Sequence, residues 1–416
     1  MPLTSPGWLG TVSKDAPRGS WPCYERNQGR ASRAPLGTDG PDVSKDRTRS
    51  QQVTMKISVE RVPAENLTPE SFVREYVATN TPVLLQGAIP ESWAPCLSWT
   101  PESLLEMAPS ELRVKVAPLM EDGRDKWVED ASLWPGRHDV KLPGVVHGNL
   151  VLAVAASRIE VSLADFVASL RKEGQWPALY ADGAANLEKS FEFLRCKLPG
   201  FPALGERLLF KRTDLWLGGE TLSTLHFDNV ENLFAQLVGE KEFLLCPPGD
   251  TPLLADGRLR KAYATWQASE GSKGNFERKA EGLSDEAVMN YAVYDVDDPP
   301  EEYAELAAQL RKTVVTVRAG EVLYLPFGWW HQVRGRPSPS GLCCSAASFF
   351  QPFFVRLQPK SLSLTGPLLR GAAAGRAEAT NEGFLMKGTP GAVLETQRGP
   401  VAGSRFGRHP SKRSKC

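Results

Sequence analysis

No run of about 18 consecutive apolar residues occurs in the 416-residue chain, which excludes a membrane-spanning helix. Net charge is missing too, because 49 basic side chains balance 49 acidic ones. The seven cysteines are odd in number and include no Cys-x-x-Cys pair. That argues against a disulfide framework or a zinc–thiolate site, and for a reducing compartment, cytoplasmic or nuclear. Adjacent Cys343 and Cys344 sit in an apolar run and read as small core residues. The opening stretch MPLTSPGWLGTVSKDAP lacks a basic start followed by an apolar core, so no secretory signal is expected.

Charge is unevenly spread. Residues 1–50 hold 8 basic and 5 acidic side chains, net +3, and residues 361–416 hold 9 and 3, net +6. The body, 51–360, is left with net −9. An acidic body does not suit a nucleic-acid binder, but it does suit a basic protein substrate. Residues 1–53 are rich in Gly, Pro, Ser, Arg and Asp with no apolar period, and are expected to be a disordered extension. Residues 358–416 are expected to be a disordered basic tail closing on RFGRHPSKRSKC, the one part suited to touching nucleic acid.

Between these extensions, residues 54–175 read as mixed α and β. Thr68-Pro69-Glu70 and Thr100-Pro101-Glu102 each offer an N-cap followed by proline in the first helical position, and Ser162 caps a third helix. Pro82 to Leu85 reads as a buried strand ended by Gly87. From 176 to 357 the pattern becomes short apolar or alternating runs: Ala178–Tyr180, Leu215–Leu217, Leu233–Val238, Phe243–Cys246, Val314–Val317, Val322–Leu325 and Leu342–Phe350. Many short strands punctuated by Gly and Pro predict a mainly β fold with flanking helices, a sandwich or double-sheet barrel. Polar residues 251–312, with a helix expected at Glu301–Arg311, read as an insertion.

Only five histidines occur: His138, His147, His226, His331 and His409. His138 and His147 lie in polar segments and read as surface residues, and His409 is in the tail. In an extended segment residues i and i+2 face the same way, so His226 and Asp228 point together while Phe227 turns away. His331 follows an apolar strand and Trp329-Trp330. Strand ends facing each other across a barrel would bring the three side chains together. Two imidazoles and one carboxylate form the facial set of non-haem iron(II) oxygenases, which leaves coordination positions open. Trp216, Phe227, Phe234, Trp329 and Trp330 read mostly as core. On its own residues, Lys241 in Gly239-Glu240-Lys241 reads as a solvated turn lysine.

Two blocks, STLHFDNVENLFAQLVGEKEFLLCPPGD (Ser223 to Asp250) and TVRAGEVLYLPFGWWHQV (Thr316 to Val333), resemble the jumonji-C (JmjC) family of Fe(II)- and 2-oxoglutarate-dependent oxygenases. These are double-stranded β-helix proteins of the cupin superfamily. The resemblance spans residues 56–357 in outline and leans toward the small protein hydroxylases, the lysyl hydroxylase branch in particular. It implies iron ligands at His226, Asp228 and His331, and O₂ and 2-oxoglutarate as cosubstrates. It implies that Lys241 binds the distal carboxylate of 2-oxoglutarate, with Ser223 as hydroxyl donor (Thr224 a substitute), Asn232 near the metal and Tyr180 against the cosubstrate. The related hydroxylases carry Asn-Phe-Trp on the last strand, where this chain has Ser348-Phe349-Phe350, so Ser348 is the expected counterpart.

The implied activity is hydroxylation of a protein side chain, lysine first, with release of succinate and CO₂. Three alternatives stay open at this point: a JmjC lysine demethylase, a tRNA-modifying oxygenase, and a cupin-type binding module without turnover. The expected partners are a protein substrate and 2-oxoglutarate, with no membrane and with a homo-oligomer open.

Overall fold

The computed structural model describes residues 57–353 apart from 143–148, 184–185, 199–200, 202 and 270–271. The two expected extensions, His147 and His409 lie outside the described residues. His138 is exposed, as its polar surroundings suggest.

Helices start where the caps stand. The Thr68 hydroxyl accepts from the Ser71 amide (3.2 Å) while the Ser71 hydroxyl accepts from the Thr68 amide (2.9 Å), and Pro69 fills the first helical position of Pro69–Phe72. Thr100 and Ser103 repeat the reciprocal pair at Pro101–Met107, and Ser162 accepts from Asp165 at the start of Leu163–Leu170. Each arrangement satisfies amides that the first helical turn leaves without a carbonyl. Phe72 at the end of its helix is fully buried, its ring edge-on to Tyr324 at 5.0 Å. That contact fixes the helix to a sheet.

Among the described residues the strands form three sheets, of nine, five and five strands. The largest has at its centre Glu321–Leu325, Glu231–Val238, Cys343–Phe350 and Phe210–Gly218, each antiparallel to its neighbour. Every residue of Glu231–Val238 and of Cys343–Phe350 is buried, Cys343 and Cys344 included, so both faces are covered. Leu233, Ala235 and Leu237 face one way, into a core with Phe72, Leu104 and Phe166 from the helices. Phe234 faces the other way, into a second core shared with Phe243, Leu245 and Val317. Those last three belong to the second sheet, which runs His226–Phe227, Trp330–Arg336, Glu240–Cys246, Thr313–Arg318. Two sheets, antiparallel except for the parallel edge pair Glu60–Pro63 and Val83–Gln86 of the larger, share an apolar filling and make the mainly β, jelly-roll core. Gly239 (φ +74°) is the single residue between Glu231–Val238 in one sheet and Glu240–Cys246 in the other, and a Cβ there would lie 2.5 Å from the Arg336 carbonyl oxygen. Glycine is required at that crossing, which brings Asn232 and Lys241 into one space.

Residues 251–312 supply most of the third sheet. Leu259–Ser269 pairs in parallel with Val151–Ala156, which pairs with Lys126–Asp130, while Ser272–Glu277 and Leu283–Ala287 pair with Leu259–Ser269. The helical part is shorter than the sequence suggests, a turn at Glu301–Tyr303 leading into Ala304–Ala308. Leu259–Ser269 alternates buried with half-exposed residues, but charged Arg260 is among the buried ones. That substitution hides the two-residue period.

Candidate metal centre and its cavity

His226 and His331 are directly opposed Cα partners on neighbouring antiparallel strands, His226–Phe227 and Trp330–Arg336. The expectation that they meet across a barrel is corrected: they meet across one ladder, where opposed side chains share a face. Their rings lie 4.3 Å apart between centroids. Asp228, two residues on, reaches back so that its Oδ2 is 3.9 Å from His331 Nε2. One ligand atom from each of His226, Asp228 and His331 lies within 4.8 Å of the others, the spacing of a set that could hold one ion. Phe227 turns to the opposite side and packs edge-on against Trp330 at 4.9 Å.

The imidazoles are held for ligation. His226 Nδ1 donates to the Thr224 carbonyl at 2.7 Å, and His331 Nδ1 donates to the Trp329 carbonyl at 3.0 Å. A carbonyl only accepts, so each Nδ1 carries the proton and each Nε2 keeps its lone pair for a metal. Burial and the neighbouring His331, against the pull of Asp228, push the His226 pKa down to about 4, so the ring is neutral at neutral pH. Tyr291 stacks on the His226 ring at 5.1 Å and 14°, which fixes its plane.

The triad opens on a cavity of about 270 Å³, near the lower end of the ~300–1,000 Å³ found for small-molecule sites. Lys241, Tyr180, Ser223 and Asn232 all line it. Lys241 is not a solvated turn residue: it is 3% exposed, on Glu240–Cys246. Its ammonium donates to Tyr180 Oη at 3.3 Å and lies over the Phe234 ring at 5.2 Å, with no carboxylate in salt-bridge range among the described residues. Burial lowers its pKa from the ordinary lysine value. A desolvated ammonium without an anion is costly, and a small dicarboxylate is the partner that chemistry asks for. Asn232 Oδ1 is likewise buried without a hydrogen-bond partner. The Ser223 hydroxyl oxygen accepts from the Val333 amide at 2.8 Å, leaving its proton to donate into the cavity, whereas Thr224 already donates to the Lys126 carbonyl at 2.6 Å. Ser223 is the better donor of that pair. These residues fit an iron ion bound by the triad and a diacid anchored by Lys241.

Ser348 does not join them. The pleat of Cys343–Phe350 pairs Ser348 with Leu233 and Thr213, and its hydroxyl shares a 3.0 Å hydrogen bond with the Thr213 hydroxyl. It is fully buried and absent from the cavity wall, so its expected place beside the cosubstrate is a correction. Phe349, opposite Asn232, lines the cavity instead, and Arg212 stacks over its ring at 5.1 Å while donating to Asp214 at 2.8 Å.

Sequence reasoning also missed the wall formed by Asp125, Lys126, Asp182 and Tyr291. Lys126 donates to Asp125 (2.6 Å) and to Asp182 (3.2 Å), and Arg158 donates to both oxygens of Asp182 at 2.7 Å. Burial works against the charge on Lys126, but the two carboxylates outweigh it and hold its pKa well above the usual value. These four wall residues and Asn290 also border a second cavity of about 580 Å³ over the third sheet, floored by Ala153 and Ala155. In the sequence they look like ordinary surface charges, and only Tyr291 carries a signal, as an aromatic in a polar stretch.

Residues 69–356 match the family described as Cupin-like domain. Among curated proteins the chain is similar to the human "Bifunctional peptidase and (3S)-lysyl hydroxylase JMJD7", 27% identical over 274 residues, 64% of this chain and 77% of that one. It is similar to "Lysine-specific demethylase JMJ32" of Arabidopsis thaliana, 26% identical over 284 residues, 66% of this chain and 76% of that one. "JmjC domain-containing protein E" of Dictyostelium discoideum is 25% identical over 295 residues, 66% of this chain and 78% of that one.

Proposed function

The chain belongs to the cupin-like family as a JmjC oxygenase that uses Fe(II), 2-oxoglutarate and O₂, and we propose that it hydroxylates a lysine side chain of a protein substrate. The observation that carries the reading is one cavity holding both a three-ligand set within 4.8 Å and a buried ammonium with no carboxylate in salt-bridge range among the described residues. The first suits iron with positions left open; the second suits a diacid.

In this reading His226, Asp228 and His331 hold the iron by Nε2, a carboxylate oxygen and Nε2. Lys241, Tyr180 and Ser223 hold the far carboxylate of 2-oxoglutarate, and the Asn232 amide orients the near end. Iron with its cosubstrates supplies a two-electron oxidation of a C–H bond: one oxygen atom goes to carbon and the other to succinate, with loss of CO₂. Phe234, Phe243 and Phe349 exclude water from that space. Lysine as target is supported by the relatives named lysyl hydroxylase and lysine-specific demethylase, and by a wall whose two carboxylates already accommodate one alkylammonium, Lys126.

The test is succinate formation with iron and 2-oxoglutarate, followed by intact-mass analysis of candidate proteins. A gain of one oxygen, about 16 Da, on a lysine peptide supports hydroxylation, and loss of a methylene, about 14 Da, would replace it with demethylation. His226→Ala and Asp228→Ala are expected to abolish succinate formation. Activity equal to the parent in both variants refutes the site.

A further inference from the structure

The metal ligands are keyed to one short loop, Pro326 to Trp329. The Gly328 amide donates to the Asp228 carbonyl at 3.1 Å, so the loop holds the backbone of the carboxylate ligand. The Trp329 carbonyl accepts from His331 Nδ1 at 3.0 Å, so the same loop sets the second imidazole. What holds the loop is therefore what holds two of the three ligands relative to each other.

Among the described residues, two further hydrogen-bonded contacts tie it to the rest of the fold. The Trp329 indole donates to the Asn80 carbonyl at 2.8 Å, from the segment after the first helix. The other is the carboxylate of Glu231, which is 0% exposed and begins the strand that carries Asn232. Its Oε2 accepts from the Phe327 amide at 3.0 Å and the Tyr324 hydroxyl at 2.8 Å, and its Oε1 accepts from the Phe353 amide at 2.8 Å. A fully buried carboxylate is expensive to desolvate unless it is hydrogen-bonded throughout. Here two of the three donors are main-chain amides with no freedom to turn away. The core alone gives no reason for a charge at this point, since its neighbours on the strand, Leu233, Ala235 and Leu237, fill the adjoining space with apolar atoms. A carboxylate at the apex of three donors, one of them inside the ligand-bearing loop, does what an apolar residue cannot: it fixes the position of the Phe327 amide by direction as well as by volume.

We propose that Glu231 is a positioning residue for the metal centre, acting through the Pro326 to Trp329 loop on Asp228 and His331. The proposal rests on the reading that the triad binds metal. Groups that orient metal ligands typically change metal affinity by 10–100-fold when lost.

Cobalt(II) titration of the full-length protein, followed by the visible absorption of the bound ion, reads both affinity and geometry without turnover. Glu231→Gln keeps the shape but places an N–H against one of three donors. It is expected to weaken cobalt binding 10-fold or more and to shift the absorption bands, while the metal-free protein stays folded by circular dichroism. Trp329→Phe loosens the same loop from its other side, keeps Glu231 intact, and is expected to weaken cobalt binding in the same direction. Leu104→Ala, in the core beneath the helices, serves as a control for general destabilisation and is expected to leave the affinity of the folded protein unchanged. Failure of the parent protein to bind cobalt would overturn the metal reading itself. Parent-like affinity and spectrum in folded Glu231→Gln would overturn the positioning role alone, as would an equal loss in Leu104→Ala. Should Glu231→Gln not fold, parent-like cobalt affinity and spectrum in Glu231→Asp, whose shorter side chain pulls the carboxylate back from the Phe327 amide, overturn it.

Discussion

Replacing Lys241 by Met keeps the length and most of the volume of the side chain but removes its charge, and two measurements should move in opposite directions. In the metal-free protein the ammonium is 3% exposed, held by one 3.3 Å hydrogen bond to Tyr180 and the ring faces of Phe234 and Tyr180. Among the described residues no carboxylate lies in salt-bridge range, so burial outweighs the more distant pull of Asp125, and replacing buried charges with well-packed apolar groups is often stabilising by about 1–4 kcal/mol. Lys241→Met is therefore expected to raise the melting temperature of the metal-free protein by a few degrees, given ~2–4 °C per kcal/mol for domains of 150–250 residues. The complex with 2-oxoglutarate should suffer the reverse. Truncating one partner of a buried, hydrogen-bonded charge pair costs ~2–5 kcal/mol, so affinity should fall roughly 30-fold at the least, at ~1.4 kcal/mol per tenfold. Differential scanning fluorimetry with and without 2-oxoglutarate, with manganese(II) in place of iron, reads both effects. A lower melting temperature with 2-oxoglutarate affinity intact would refute the reasoning, because Lys241 would then be a structural residue and the cosubstrate would be anchored elsewhere.

Gly335 pairs with both Lys241 and Thr221, and a Cβ there would lie 2.4 Å from Thr221 Oγ1 and 3.7 Å from Lys241 Cε. Gly335→Ala should lower stability by about 1–3 kcal/mol, as overpacking does, and weaken 2-oxoglutarate binding, both readable by thermal shift. Phe72→Ala removes a fully buried ring set against Tyr324; a loss of ~3–5 kcal/mol in urea unfolding is expected, with cobalt affinity of the folded protein unchanged. Acid should destabilise the metal-free protein early: His226 has its pKa pushed down to about 4, whereas the unfolded chain takes up that proton near the ordinary value of 6.5. The contribution is whole above pH ~6.5 and is lost progressively down to about 4, and melting curves of His226→Gln should lack that component.

Much of this was legible in the sequence because local signals agree with the tertiary answer. Thr68, Thr100 and Ser162 cap helices where a hydroxyl followed by proline or an apolar run says they should. Short buried runs such as Val83–Gln86 and Glu321–Leu325 became strands because only a sheet hides them at that length. The pairing of His226 with Asp228 followed from the two-residue period alone. The rest depends on facts the chain does not write locally. Which face of Cys343–Phe350 meets the cavity is a matter of register, and since all eight residues are buried no polar alternation marks it; hence Ser348 and Phe349 exchange places. Lys126–Asp130 escaped notice because its charges resemble a solvated segment, although Lys126 is tied to Asp125 and Asp182. That His226 and His331 face each other across one ladder, rather than across the barrel, requires knowing which strands are neighbours.

Each imidazole of the triad gives its one N–H to a main-chain oxygen two residues earlier in the chain, just ahead of its own strand. The rings are thus locked in the tautomer that an arriving ion requires, before it arrives. Loading the centre calls for no ring flip, and the His226 ring, already neutral at neutral pH, has no hydrogen ion to give up. The readiness of the centre thus resides in two carbonyl groups and not in the ligands themselves.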